Sequence, residues 1–355
     1  MMTSLKFENF RGFTDLTISP LERINLIAGA NNTGKTGILE GLYLLLANDF
    51  NQVLQLPSVF RSSVSGQPNQ HSQDDFPTFW QSLFYDKQTA ILAKVSGKPD
   101  SGVGSAFQLS TAPNNSIQIL YEGLGVDPSG RSGPHIRITG QHPGAGHPSS
   151  AFQIGPGGVG PAGRNPFASP FIVLSTRLEQ PTRDADLYNQ VTLLEGGEER
   201  LLDLLRQVDP RLQKLRYAKA PGTQVPLVYA HFGLKNALSM TQTGQGFSKL
   251  FSLFCQMLVS KAKVLLIDEV ENGLYYESLP EIWKGIATLA ASEDIQVFAT
   301  THSRECIVAA HDALSKMPAY DFALHRLQRV KGRIEAVTHD QQMLEVAIKS
   351  GMEVR

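Results

Sequence analysis

The stretch that most limits what this chain can fold into is INLIAGANNTGKTGILEGLYLLL, residues 24–46. An apolar run, a glycine-bracketed loop and a helix-like run follow in that order. They fit G-x-x-x-x-G-K-[ST] in the strand–loop–helix context that the pattern requires. Gly29 and Gly34 let the backbone curl, so that the N–H groups through Asn31, Asn32, Thr33, Lys35 and Gly37 face phosphate oxygens. The helix start adds its partial positive charge. Lys35 would then reach the β- and γ-phosphates, and the Thr36 hydroxyl would ligate Mg²⁺. A glycine-rich turn matching by accident is the plain alternative, and the flanking strand and helix weigh against it.

Such a loop needs a carboxylate at the end of a neighbouring buried strand. KVLLIDEVENGL supplies one: Val264 to Ile267 are apolar and lead into Asp268 and Glu269. A strand end presents these groups at the carboxyl edge of the sheet, where an α/β fold holds phosphates. Asp268 would organise the Mg²⁺ shell, and Glu269 would take a proton from the attacking water. Next, IQVFATTHS reads as a second buried strand ending near His302, which is placed to contact a γ-phosphate. An acidic turn after a core strand, or a histidine after a strand, is ordinary alone; the combination is not.

Elsewhere the pattern gives organisation. LKFENF, DLTIS, FIVLS, VPLVYA and HFGLKNALSM read as strands, and GFSKLFSLFCQMLVSK and ESLPEIWKGIATLAAS as helices. Strands alternating with helices predict a parallel sheet with helices on its faces. Residues 57–170 are rich in Gly, Pro, Ser and Asn, with strand-like pieces TAILAKV, SIQILY and HIRIT. They are expected to form a β-containing insertion, with residues 1–56 and 171–355 forming the nucleotide-binding domain. No apolar run reaches the roughly 18 residues needed to cross a bilayer. Cys255 and Cys306 cannot build a disulfide framework or a zinc site. The expectation is a soluble, cytoplasmic chain. Its net charge of −1 gives no support to a nucleic-acid partner, although it leaves room for a local basic surface.

The order of phosphate loop, hydrophobic-Asp-Glu and Thr-His-Ser resembles the ABC-type ATPases. LKFENFRGF, DEVENGLYYESL and ATTHS narrow the resemblance to the branch holding SMC proteins, RecF and the OLD family. The resemblance covers about residues 1–50 and 225–310 and leaves the insertion unmatched. It implies an α/β head with an N-terminal β-rich lobe and a parallel sheet flanked by helices. It also implies ATP and Mg²⁺ as cofactors and a head-to-tail dimer around ATP. The dimer's signature turn would fall at SMTQTGQGF, with the Thr243 hydroxyl and the Gly244 and Gly246 amides on the partner's γ-phosphate. This is the looser Gly-x-Gly form, and a plain helix N-cap is the bland reading. Arg11 in FRGF corresponds to an arginine beside the nucleotide, a surface arginine being the alternative. Gln81 is the best candidate for a glutamine-loop residue, although Trp80 and Phe84 around it read as packing anchors.

The 53 residues after His302 are too few for the Toprim nuclease domain of OLD proteins, and the insertion is too short for SMC coiled coils. The leading expectation is therefore an OLD-like ATPase subunit that regulates a separately encoded effector, such as a Toprim-like nuclease in anti-phage defence. A RecF-like clamp that binds DNA in repair, or an ATP-bound scaffold with little turnover, stands as the alternative. The Gly/Pro-rich insertion is either a partner-binding lobe or a permissive surface insertion.

Overall fold

The computed structural model describes residues 1–61, 79–100, 104–112, 116–124, 136–138, 153–154, 165, 168–174, 181–220 and 222–355. Two sheets and one central helix position the site. The first sheet is antiparallel. Strands β1 (Met2–Phe10) and β2 (Phe13–Ile18) form a hairpin in which Leu5 faces Ile18 and Phe10 faces Phe13. The free edge of β1 takes β4 (Ala93–Pro99), followed by β5 (Gly104–Ala112) and β6 (Ser116–Leu124). The short strands β7 (Ile136–Ile138) and β8 (Gln153–Ile154) both pair with β6.

The strands expected in the insertion thus continue the sheet that β1 begins. The reason is hydrogen bonding. An unpaired edge of β1 would leave a row of backbone groups without partners, and β4 supplies them.

The second sheet runs β9 (Phe171–Leu174), β13 (Val264–Ile267), β14 (Gln296–Thr301), β3 (Ile24–Gly29) and β15 (Phe322–Val330), all parallel. Antiparallel β16 (Arg333–His339) closes one edge. Strands β3, β13 and β14 are buried at every residue, as expected of strands covered on both faces. Their carboxyl ends, side by side, carry the loops that matter here.

Helix α1 (Lys35–Leu46) lies between the two sheets and is buried at nearly every position, which is why its sequence is apolar on all sides. At Gly41 a Cβ would sit 2.6 Å from the Phe7 ring, so the helix packs against β1 with no room for a side chain. Tyr121 on β6 donates to the Leu44 carbonyl at 2.8 Å. Asn165 donates to the Leu45 and Ala47 carbonyls at 3.1 and 2.9 Å, satisfying acceptors left open at the helix end. Helix α2 (Phe50–Phe60) follows, capped by Asp49 accepting from the Gln52 N–H.

The other face of the parallel sheet carries α3 (Pro181–Thr192), α4 (Gly197–Val208), α5 (Gln245–Val259), α6 (Leu279–Ser292), α7 (Arg304–Leu314) and α8 (Gln341–Lys349). Between α4 and α5, β10 (Lys214–Lys219), β11 (Pro226–His231) and β12 (Leu238–Ser239) form a small antiparallel sheet. The strand expected over HFGLKNALSM shrinks to the two residues of β12, because Gly233 turns the chain in the left-handed region. Among the described residues no helix is long and apolar enough to cross a membrane.

Candidate nucleotide site

The loop after β3 is shaped by two glycines. A Cβ on Gly29 would lie 2.7 Å from the Thr33 hydroxyl and 2.8 Å from the Leu327 carbonyl. Gly34 begins α1 with φ 88°, and a Cβ there would strike the Phe13 ring at 2.7 Å. Neither position tolerates a side chain. Thr33 donates its hydroxyl to the Ala30 carbonyl at 2.8 Å, closing the loop, while Asn31 and Asn32 stand exposed. Helix α1 has no side-chain cap and no acidic residue in its first turn. Its leading N–H groups are therefore available to an anion. Lys35 folds its ammonium back onto the Gly29 and Ala30 carbonyls, at 2.6 and 3.1 Å. Burial pushes its pKa down, and the carboxylates of Glu269, Glu271 and Asp268 oppose that shift. Gly37 packs against the stem of Arg11.

Across from this loop, the end of β13 delivers Asp268. Its Oδ1 accepts from the Thr300 hydroxyl at 2.8 Å and from the Thr36 hydroxyl at 3.4 Å. Burial is the main cause that raises the Asp268 pKa, and those two hydrogen bonds oppose it. Thr36 and Asp268 are only two ligating side chains, and no group of three or more His, Cys, Asp or Glu suited to a metal occurs among the described residues. That donor set fits Mg²⁺, which completes its shell with phosphate oxygens and water.

The same Thr300 hydroxyl accepts from the Glu269 N–H at 2.8 Å. Glu269 has φ 48°, a left-handed conformation that costs a non-glycine residue on the order of 1–2 kcal/mol. Thr300, the Lys249 ammonium on the Glu269 and Asn272 carbonyls (3.4 and 3.2 Å) and Asn272 Nδ2 on Glu269 Oε2 (3.4 Å) hold the loop in this shape. His302 follows β14. Glu271 Oε1 accepts from its backbone N–H at 2.9 Å and lies 3.2 Å from its Nδ1, while Glu269 Oε1 is 3.9 Å away.

Two of the expected site residues are engaged by partners within the chain. Arg11 does not present its guanidinium to the phosphate loop. It makes a bidentate pair with the fully buried Glu40, at 2.7 and 2.9 Å, bonds Ser82, and stacks on Phe79 at 4.9 Å. Arg61 approaches the same carboxylate at 2.8 Å. A buried carboxylate requires such partners, and Glu40 recruits Arg11. Thr243 turns its hydroxyl back onto the Met240 carbonyl at 2.6 Å. Its neighbour Gly246 would place a Cβ 2.4 Å from the Gly273 carbonyl, so the glycine turn packs on the loop that follows the acidic pair. No hydrogen bond joins residues 243–246 to residues 29–37 among the described residues. Gly244 starts α5 with φ −60°, and a Cβ there would meet nothing. Gln81 lies in a short turn beside Leu83, whose carbonyl accepts the Arg11 N–H at 2.6 Å.

Sequence reasoning named Glu269 and His302 but missed the supports Thr300, Glu271 and Lys249. The first two stand inside strings already singled out, ATTHS and DEVENGL. Lys249 left no signal.

Comparison with known proteins bears on this geometry. The model of the AAA ATPase domain matches residues 1–126, which include Lys35. A second AAA domain model, whose description names the AbiEii toxin of type IV toxin–antitoxin systems, matches residues 136–307, which include Asp268, Glu269 and His302. The fold is that of SMC heads. The SMC head bound to the C-winged helix domain of ScpA superimposes with a TM-score of 0.52 at 12% identity, covering 98% of this chain and 99% of that one. A second SMC head, solved with the C-terminal domain of ScpA derived from Pyrococcus furiosus, gives a TM-score of 0.51 at 11% identity, covering 98% of each chain. Two AAA domain models on consecutive parts of the chain, together with the SMC-head fold, support an ABC-type ATPase.

Among relatives of this chain, the ATP/GTP phosphatase of Helicobacter pylori is 23% identical over 337 residues, covering 86% of both chains. The RecF protein of Shewanella sediminis is 38% identical over 135 residues, but only 34% of this chain and 35% of that protein are aligned. The two AAA domain models and the relative named ATP/GTP phosphatase support ATP binding and hydrolysis at a general level.

Proposed function

We propose that this RecF/SMC-like ATPase binds ATP with Mg²⁺ on the Gly29–Gly37 loop and completes its site only in a head-to-tail dimer. The observation that carries this reading is Gly244: nothing in the monomer requires a glycine there, yet it opens a helix start whose N–H groups suit an anion. In the proposed dimer, Gly244, Gly246 and Thr243 of one copy close on the nucleotide held by the other. Thr243 first releases Met240 to do so.

Within one chain, the loop N–H groups and Lys35 neutralise the β- and γ-phosphates, with Lys35 leaving its two carbonyls for the phosphate. Thr36 and Asp268 hold the Mg²⁺, which when bound neutralises charge developing on the phosphate oxygens. Glu269 takes a proton from the attacking water. His302, held through its backbone N–H by Glu271, offers its imidazole to the γ-phosphate side. Glu269→Gln should keep ATP binding and ATP-dependent dimers while lowering turnover about 10²–10⁴-fold. Turnover at the wild-type rate in that variant would remove Glu269 as the base.

For the cellular role we favour the OLD-like reading: an ATPase whose dimer regulates a separately encoded effector, such as a Toprim-like nuclease in anti-phage defence. DEVENGL supports the OLD-like branch, and the relative named ATP/GTP phosphatase, which aligns over 86% of this chain, supports turnover. The RecF alignment favours a second reading, an ATP-driven clamp on DNA. Purification from the native cell with ATP present separates them. Recovery of a nuclease supports the first, and DNA-stimulated hydrolysis with repair proteins recovered supports the second.

A further inference from the structure

Strand β3 has two flanks. On one, β14 and β13 bring His302 and Asp268; on the other, β15 runs past the end of β3, with Leu327 level with Gly29. Between the outer side of the phosphate loop and this overhang lies a cavity of about 430 Å³, within the usual size of small-ligand sites. Asn31, Asn32, Arg326, Gln328, Arg329 and Arg355 line it, and none of Lys35, Thr36, Asp268 or His302 does.

The three guanidinium groups are weakly compensated. Arg326 donates to the Glu353 backbone carbonyl at 2.7 Å and to the Gln328 side chain, both uncharged, and its Nε is buried without a partner. Among the described residues, Arg329 donates only to the Gly332 carbonyl, at 3.3 Å, and only Arg355 of the three meets a carboxylate, Glu353 at 3.4 Å. Lys331 and Arg333 continue the same hairpin. A concave wall of one charge sign focuses potential on its opening, and arginine's planar fork matches phosphate better than any other side chain. This local basic surface coexists with a chain of net charge −1.

We infer that this cavity is a second anion site, on the outer side of the same phosphate loop, that binds phosphate groups through Arg326, Arg329 and Arg355 and not through Lys35. The phosphates come either from a nucleic-acid strand or from a free phosphorylated small molecule. Asn31 and Asn32, exposed at its rim, add neutral donors.

The test uses full-length Lys35→Ala protein, which silences the phosphate loop, with two probes: a fluorescent single-stranded DNA oligonucleotide and inorganic tripolyphosphate. At least one should bind. Adding Arg329→Ala and Arg355→Ala should weaken that binding about tenfold or more. With the oligonucleotide, the salt dependence should also flatten by about 0.7 per lost contact. Oligonucleotide binding that excess tripolyphosphate does not compete identifies a nucleic-acid strand; equal competition identifies a small phosphorylated ligand. ATP binding by Arg329→Ala/Arg355→Ala protein with Lys35 intact shows that the variant folds, and it separates this site from the nucleotide site. The inference is overturned if neither probe binds Lys35→Ala protein, or if binding survives loss of both arginines unchanged.

Discussion

The chain contains two glycine-rich helix starts, and they are built on opposite terms. The loop before α1 needs its glycines inside the monomer: Gly29 and Gly34 sit where a Cβ would strike Thr33, Leu327 or Phe13. The turn before α5 divides. Gly246 is demanded by the Gly273 carbonyl, whereas Gly244 is demanded by nothing among the described residues. A glycine explained by the fold says little about function. One that the fold leaves unexplained points outward, and in the dimer proposed above that means to a second copy.

The sharpest break in this comparison comes at the first turn. Lys35→Ala should weaken nucleotide binding a hundredfold or more, on the order of two charge-assisted hydrogen bonds lost, as read by titration with a fluorescent ATP analogue. Next in size is Gly246→Ala. Its Cβ would overlap the Gly273 carbonyl, so denaturant unfolding should show a loss of about 1–3 kcal/mol. Gly244→Ala sharpens the contrast. Its stability should stay within about 0.5 kcal/mol of wild type, while steady-state turnover falls about tenfold or more through lost contact with the partner's nucleotide. Unaltered turnover would return the turn before α5 to a plain helix start.

The smallest effect concerns Asp268. Burial raises its folded pKa above the ordinary 3.8, so the folded protein holds that proton more tightly than the unfolded chain does. The resulting stability is fully present below the ordinary carboxyl range and is lost as pH rises through the raised value. At neutral pH the ionised carboxylate therefore opposes folding of the nucleotide-free head. Asp268→Asn keeps the acceptor for Thr300 and removes the charge. Denaturant unfolding without nucleotide or Mg²⁺ should show a gain of about 1 kcal/mol or less at pH 7, vanishing in acid.

What could be read from the sequence follows from how local each constraint is. The phosphate loop, Asp268–Glu269 and His302 were legible because each is set by a short string at the end of a buried strand. The destination of Arg11 was not. It depends on Glu40, which reads as an ordinary helix residue until α1 is known to be buried on every side. The run of the antiparallel sheet was equally hidden. Choosing β1 as the partner of β4 is a decision between segments some 90 residues apart, and Gly/Pro-rich composition between them speaks of loops, not of pairing. Lys249 belongs with these, since only the packing of α5 on the Gly273 turn brings its ammonium to the Glu269 carbonyl.

The burial of α1 has a mechanical side. Its first residue is Lys35 and its far end is tied by Asn165 and Tyr121, with sheets on both flanks. A twelve-residue helix is about 18 Å long, and one clamped along its whole length transmits displacement instead of absorbing it. A shift of Lys35 toward a phosphate would be felt at β6, on the outer part of the other sheet. If the proposed nucleotide binds there, its arrival would be felt on a strand that never touches it.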